Sequence, residues 1–129
     1  MWFVRNALAA FYPREGNIPG VAECGLAAFL SRFRRETSRL MWVGVLLSTL
    51  VFQLSSLFTV GIPLPAFMLS ERLRDRHASK LSESRFYLIR QSTFILKFVA
   101  GLCWGSDARV RASMALKAYP QDPGTWRQA

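Results

Sequence analysis

The sequence predicts an all-α domain of five to six helices, built around one long apolar central helix and a proline-containing apolar turn, and associated with a membrane. Three observations carry that expectation. No side chain between Arg39 and Glu71 is charged, and residues 41–70 form an apolar run of thirty. A hydrocarbon core about 30 Å thick takes roughly 20 apolar residues as a helix, a length that 41–60 supplies. Elsewhere apolar residues recur at three- and four-residue steps, the helical period, and no stretch alternates as a half-buried strand does.

Each element follows from its own residues. Residues 2–12 read as a short helix, apolar at Trp2, Phe3, Val4, Leu8 and Phe11, and stopped by Pro13. PREGNIPG, 13–20, is a turn cluster whose two prolines and two glycines cannot continue a helix. A second helix is expected over 21–38, with Ala22, Leu26, Phe29, Leu30 and Phe33 on one stripe. Its last turns carry Arg32, Arg34 and Arg35, which suit the negative end of the helix dipole. The third helix is expected from Thr37 or Ser38 to Val60, with a notch of small residues at Gly44 and Ser48 that admits a neighbouring helix. Pro63 and Pro65 break it. Ser70 is placed to cap a polar helix, 71–81, with Glu71 in its first turn. Residues 85–104 form a further helix that is apolar almost all round, which places it centrally or against a partner. Arg90 and Lys97 argue against its crossing a membrane. Asp107 caps a last helix, 108–118, and 119–129 is an extended tail.

The 129 residues make one domain, 1–129, sized for a single hydrophobic core. Hydrophobic residues are 51% of the chain against 19% charged, and the excess is concentrated in 41–69 and 86–104. The net charge is +9, and 14 of the 17 basic residues are Arg. Such a balance suits nucleic acid, an anionic membrane or an acidic protein. Here the basic residues track the apolar segments and form no aromatic–basic stacking platform. Headgroups or a protein partner are therefore favoured, and nucleic acid is not expected. Cys24 and Cys103 have no metal-ligand spacing; they read as two small buried hydrophobes or as a long-range disulfide. The N-terminus, MWFVRNALAAFYP, lacks a convincing cleavage site and a twin-arginine pair, and is not read as a signal peptide.

Catalytic patterns are nearly missing from the sequence. His77, the single histidine, lies in ERLRDRHASK and reads as a solvated surface residue. Glu71, Asp75 and Glu83 lie among arginines as ion-paired surface, and the glycines form no phosphate-binding loop. One His and two distant Cys make no transition-metal site. No catalytic, cofactor-binding or metal-binding residue is assigned, and an enzyme in its own right is disfavoured.

The order of features resembles the helical region that precedes the flavin domain in long-chain alcohol oxidases of the glucose–methanol–choline family. It is also similar to the small third subunit of gluconate 2-dehydrogenase. The residues that carry the resemblance are Phe11-Tyr12-Pro13 through Ile18-Pro19-Gly20, then Pro65-Ala66-Phe67-Met68-Leu69-Ser70 leading into Glu71-Arg72. Leu88-Ile89-Arg90, Leu96-Lys97, Ser106-Asp107-Ala108-Arg109-Val110-Arg111-Ala112 and Tyr119-Pro120 follow. The dinucleotide fingerprint of the flavin domain is absent here. The resemblance implies a non-catalytic subunit, with FAD held by a flavoprotein partner.

Together these readings predict an accessory subunit that stabilises a membrane-associated FAD-dependent alcohol, sugar or sterol dehydrogenase and places it at the inner (cytoplasmic) membrane, on a side the sequence does not fix. The membrane- or partner-facing residues are Trp42, Val45, Leu46, Leu50, Phe52, Leu57, Phe58, Leu64 and Phe67. Arg34, Arg35, Arg39, Arg72, Arg74 and Arg76 form the basic rim, whose symmetry suits a monotopic hairpin over a crossing. Phe86, Ile89, Leu96 and Trp126 are expected to clasp the partner. The alternative is a small single-span membrane protein that anchors or regulates an unrelated complex.

Overall fold

The computed structural model describes residues 1–118 and 120. Among them the chain forms seven α-helices, two more than the lower expectation, and two 3-10 turns. The helices are α1 (Trp2–Ala9), α2 (Leu26–Glu36), α3 (Arg39–Leu54), α4 (Ser56–Val60), α5 (Glu71–Ser82), α6 (Tyr87–Ser106) and α7 (Ala108–Ser113). The 3-10 turns are Val21–Glu23 and Ala66–Met68. The extra helices arise because two expected rods are divided.

The second rod divides at Gly25. That residue takes a left-handed conformation, φ +69°, which only glycine adopts without strain, so 21–23 closes as a separate turn and α2 starts at Leu26. The third rod divides at Ser55, whose hydroxyl donates back to the Val51 carbonyl. The Ser55 N–H keeps the same carbonyl at 3.1 Å, and the ladder tightens beyond it, where the Phe58 N–H returns to the Ser55 carbonyl at 3.1 Å. Just beyond, the Ser56 hydroxyl donates to the Leu64 carbonyl and ties α4 to the proline turn. Gly61, at φ +73°, then ends α4. α3 starts where the sequence predicts, and there the Ser38 hydroxyl caps it, accepting from the Met41 N–H at 3.2 Å.

The consequence for the apolar run is a correction. With 16 residues α3 is about 24 Å long, short of a hydrocarbon core. Among the described residues no helix is long and apolar enough to cross a membrane. The single-span alternative loses its helix. The last helix is also shorter than expected. Asp107 caps it as predicted, accepting from the Arg109 N–H at 2.8 Å, but Ala115 turns to φ +55° and the Leu116 N–H returns to the Arg111 carbonyl at 2.8 Å.

α3 and α6 form the centre of the fold. They run antiparallel: Thr37 adjoins Leu102 and Gly105 at one end, Gly44 lies beside Ile95 midway, and Ser55 and Phe58 adjoin Phe86 and Ile89 at the other. A methyl group built on Gly44 would stand 3.9 Å from Ile95 Cδ1, so the small-residue notch is where α6 lies against α3. α1 packs on α3 and α6, with Leu8, Val45, Phe52, Leu96 and Val99 of these helices buried in the core, which Leu30 of α2 joins. The 13–20 turn is fastened to α6 by Trp104, whose Nε1 donates to the Pro19 carbonyl at 2.9 Å and whose ring stacks on Tyr12 at 5.1 Å.

His77 departs furthest from expectation. It is fully buried, with its ring 4.8 Å from that of Phe52. Nε2 donates to the Phe52 carbonyl at 2.7 Å, and Nδ1 accepts from the Thr59 hydroxyl. The imidazole therefore pins α3, α4 and α5 together. Leu73, His77 and Leu81 recur every four residues, and this stripe was the signal in the sequence that faces it inward. Its charged neighbours obscured the pattern.

Candidate docking face

The outer sides of α3 and α6 form the candidate site. On α3, Leu40, Leu47 and Leu54 follow one another every seven residues, two helical turns apart, and all are exposed; Val43, Leu46 and Leu50 extend the same face. On α6, Leu88, Ile95 and Leu102 form the stripe beside the α3 seam, with Phe94 and Phe98 outside it. All but Ile95 are exposed, and Ile95 fills the seam at Gly44. The two stripes therefore adjoin, giving one continuous apolar face across two helices. Exposed apolar surface on this scale marks a contact site. It also explains why α6 reads as apolar all round: its inner side makes the core and its outer side makes the face.

The predicted interface residues divide accordingly. Leu46, Leu50 and Leu57 are exposed, as are Phe58 and Leu64, while Trp42 and Phe67 are half-buried. Val45 and Phe52 are buried in the core, because they lie on the side of α3 turned toward its neighbours, and they are withdrawn from any interface. Of the expected clasp, Phe86 is exposed and Ile89 half-buried, but Leu96 is fully buried and belongs to the chain's own core. Trp126 lies outside the described residues.

The basic rim divides too. Arg34, Arg35 and Arg39 are exposed at the α2–α3 junction, and the Arg34 guanidinium lies over the Trp42 ring at 5.9 Å. Arg72 and Arg74 instead line a cleft of about 540 Å³ with Arg14, Glu23, Glu71 and Asp75. That cleft is mixed in charge, so those arginines are not a purely cationic border. The sequence reading did not single out Arg85 at the other end, nor Arg90 and Lys97 along one side of α6, as part of the rim; all three are exposed.

Next to the C-terminal turns of α3 lies an aromatic cluster that the sequence showed only in part. The rings of Trp2, Phe3 and Phe67 meet edge-to-face with centroids 5.0 to 5.6 Å apart. Gln53 holds them in place: its Nε2 donates to the Phe3 carbonyl at 3.4 Å, and its Oε1 accepts from the Phe67 N–H at 3.0 Å. Trp2, Phe3 and Met68 remain exposed around the cluster.

Titratable chemistry lies away from this face. Cys24 and Cys103 are free thiols, and Cys103 Sγ donates to the Cys24 carbonyl at 3.6 Å. Burial, with Asp107 nearby, pushes both up to about 11, so neither is a ready nucleophile at neutral pH. Hydrogen bonds from Arg109 hold Asp107 down at about 2, consistent with its work as a helix cap. Burial lowers His77. Among the described residues no three His, Cys, Asp or Glu side chains gather as metal ligands. No family model, curated protein or solved structure matches the chain.

Proposed function

We propose that this chain is a non-catalytic helical accessory subunit that stabilises a FAD-dependent dehydrogenase of the glucose–methanol–choline type and holds it at a membrane. The observation that carries the reading is the amount of large apolar surface left uncovered by a fold whose core is otherwise closed: the α3–α6 face and the Trp2–Phe3–Phe67 cluster. Two such surfaces serve two contacts, one with the catalytic subunit and one with lipid. The choice of a flavoprotein as the partner rests on the sequence resemblance.

The test is co-expression of the chain, carrying an affinity tag, with a flavoprotein encoded beside it. Retention of a yellow, FAD-containing partner through size-exclusion chromatography is the expected result. A chain that elutes alone as a stable, monodisperse monomer in the presence of that partner overturns the reading.

A further inference from the structure

The outer polarity of the α3–α6 face is opposite to that of α5. α5 follows the soluble pattern, burying Ala78 and Leu81 and exposing Arg72, Arg76 and Lys80. α3 buries polar residues beside Val45 and Phe52 and exposes leucines. Ser48, Thr49 and Gln53 are 3, 3 and 4% exposed, whereas Leu47, Leu50 and Leu54 are 58, 55 and 68% exposed. α6 buries Thr93 beside Leu96, Val99, Ala100 and Cys103 and, like α3, turns large apolar side chains out, at Phe94, Phe98 and Leu102. The inward hydroxyls are satisfied within their own helices, Thr49 donating to the Val45 carbonyl at 2.8 Å and Thr93 to the Ile89 carbonyl at 3.0 Å. Phe52 and Leu96 are also buried, but the burial of small and hydroxylated residues beside an outer face of leucine and phenylalanine suits helices packed in lipid, where the solvent is as apolar as leucine.

The charges around this face suit a headgroup layer. Arg34, Arg35 and Arg39 stand at one end, Arg85 at the other, and Arg90 and Lys97 along the edge. α3 and α6 themselves carry no carboxylate. The acids next to their ends are Glu36, which pairs with Arg32 at 3.1 Å, Glu83, and Asp107, which pairs with Arg109 at 3.0 Å. A protein partner would ask the face for hydrogen-bonding groups at intervals, yet the polar side chains of α3 point the other way. No described helix is long and apolar enough to cross.

From this polarity we infer that α3 and α6 lie side by side in one leaflet of an anionic phospholipid bilayer, leucine and phenylalanine side chains in the acyl region and the basic rim among the phosphates. The inference rests on the reading of the chain as a membrane-placed accessory subunit and gives the lipid contact to this pair of helices. The hairpin that meets the membrane is then α3 with α6, two segments far apart in sequence, and not α3 with its proline turn.

Cell-free synthesis of the full chain in the presence of vesicles, followed by flotation, tests this directly. The chain is expected to float with phosphatidylcholine–phosphatidylglycerol vesicles and much less with phosphatidylcholine alone. Raised salt should weaken the binding. The L47E/F98E double variant removes two side chains from the acyl region and should weaken it about a hundredfold. L116E, beyond the face, should float as the parent does. Circular dichroism of L47E/F98E establishes that it still folds, and L50E/F94E serves in its place if it does not. Equal binding to neutral vesicles, no flotation, or flotation indifferent to both double variants would overturn the inference. So would tags on the two termini emerging on opposite sides of the vesicle. Flotation reads the lipid face and co-purification reads the catalytic partner, so either can fail while the other stands.

Discussion

His77 shows how a single side chain couples the interior of this fold to pH. Nε2 donates to a carbonyl and therefore carries the proton, leaving Nδ1 as the acceptor for the Thr59 hydroxyl. The site is lined by the Phe52 ring, and Lys80 lies nearby, its Nζ on the Thr59 carbonyl at 2.6 Å. Burial accordingly lowers the imidazole below its ordinary 6.5. As pH falls through that value the unfolded chain takes up a proton that the folded chain refuses, so folding stability declines on the acid side and is level above it. The chain has one histidine, so no other side chain ordinarily titrates in that window. Thermal unfolding should move to lower temperature between about pH 7 and pH 5. His77→Gln should lose about 1–3 kcal/mol at neutral pH and most of that slope. A variant with the parent's slope would show that the buried imidazole is not its source. The burial was written in the Leu73–His77–Leu81 stripe. The hydrogen bonds were not legible, because Phe52 and Thr59 are 25 and 18 positions away.

At the scale of the element, α3 and α6 each carry two apolar sides with different duties, and substitution should separate them. Leu96 is fully buried between the helices. Truncating it leaves a cavity, so Leu96→Ala should cost about 2–5 kcal/mol. Leu47 is solvent-facing, and Leu47→Ala should stay within about 0.5 kcal/mol of the parent. Chemical denaturation of the two variants side by side checks this; a large loss from Leu47→Ala would mean that the face is packed within the chain. The sequence made both helices legible, and their cores in outline, but it could not say which side turns in. A helix apolar nearly all round has no moment to orient it, and α3 misleads further by burying Ser48, Thr49 and Gln53. Hence the sequence places Val45, Phe52 and Leu96 outward. The breaks at Gly25 and Ser55 were missed for a related reason: each depends on local backbone bonding that periodicity does not register.

For the whole molecule, charge and apolar surface act in opposition, and salt tells them apart. A net charge of +9 keeps free chains apart while the α3–α6 face draws them together. Repulsion between exposed charges is screened within about 10 Å at 0.1 M salt and about 3 Å at 1 M, whereas apolar contact is not weakened. The free chain should therefore associate as salt rises, measured as a growing sedimentation coefficient, and mild detergent should reverse it. Binding to anionic vesicles should respond in the opposite direction, because the same salt screens the arginines from the phosphates. One variable thus drives the molecule from lipid toward itself. The L47E/F98E double variant should lose both responses, because it adds charge to the surface that both contacts use. Self-association surviving in that variant would place the self-contact elsewhere, with the Trp2–Phe3–Phe67 cluster the next surface to alter.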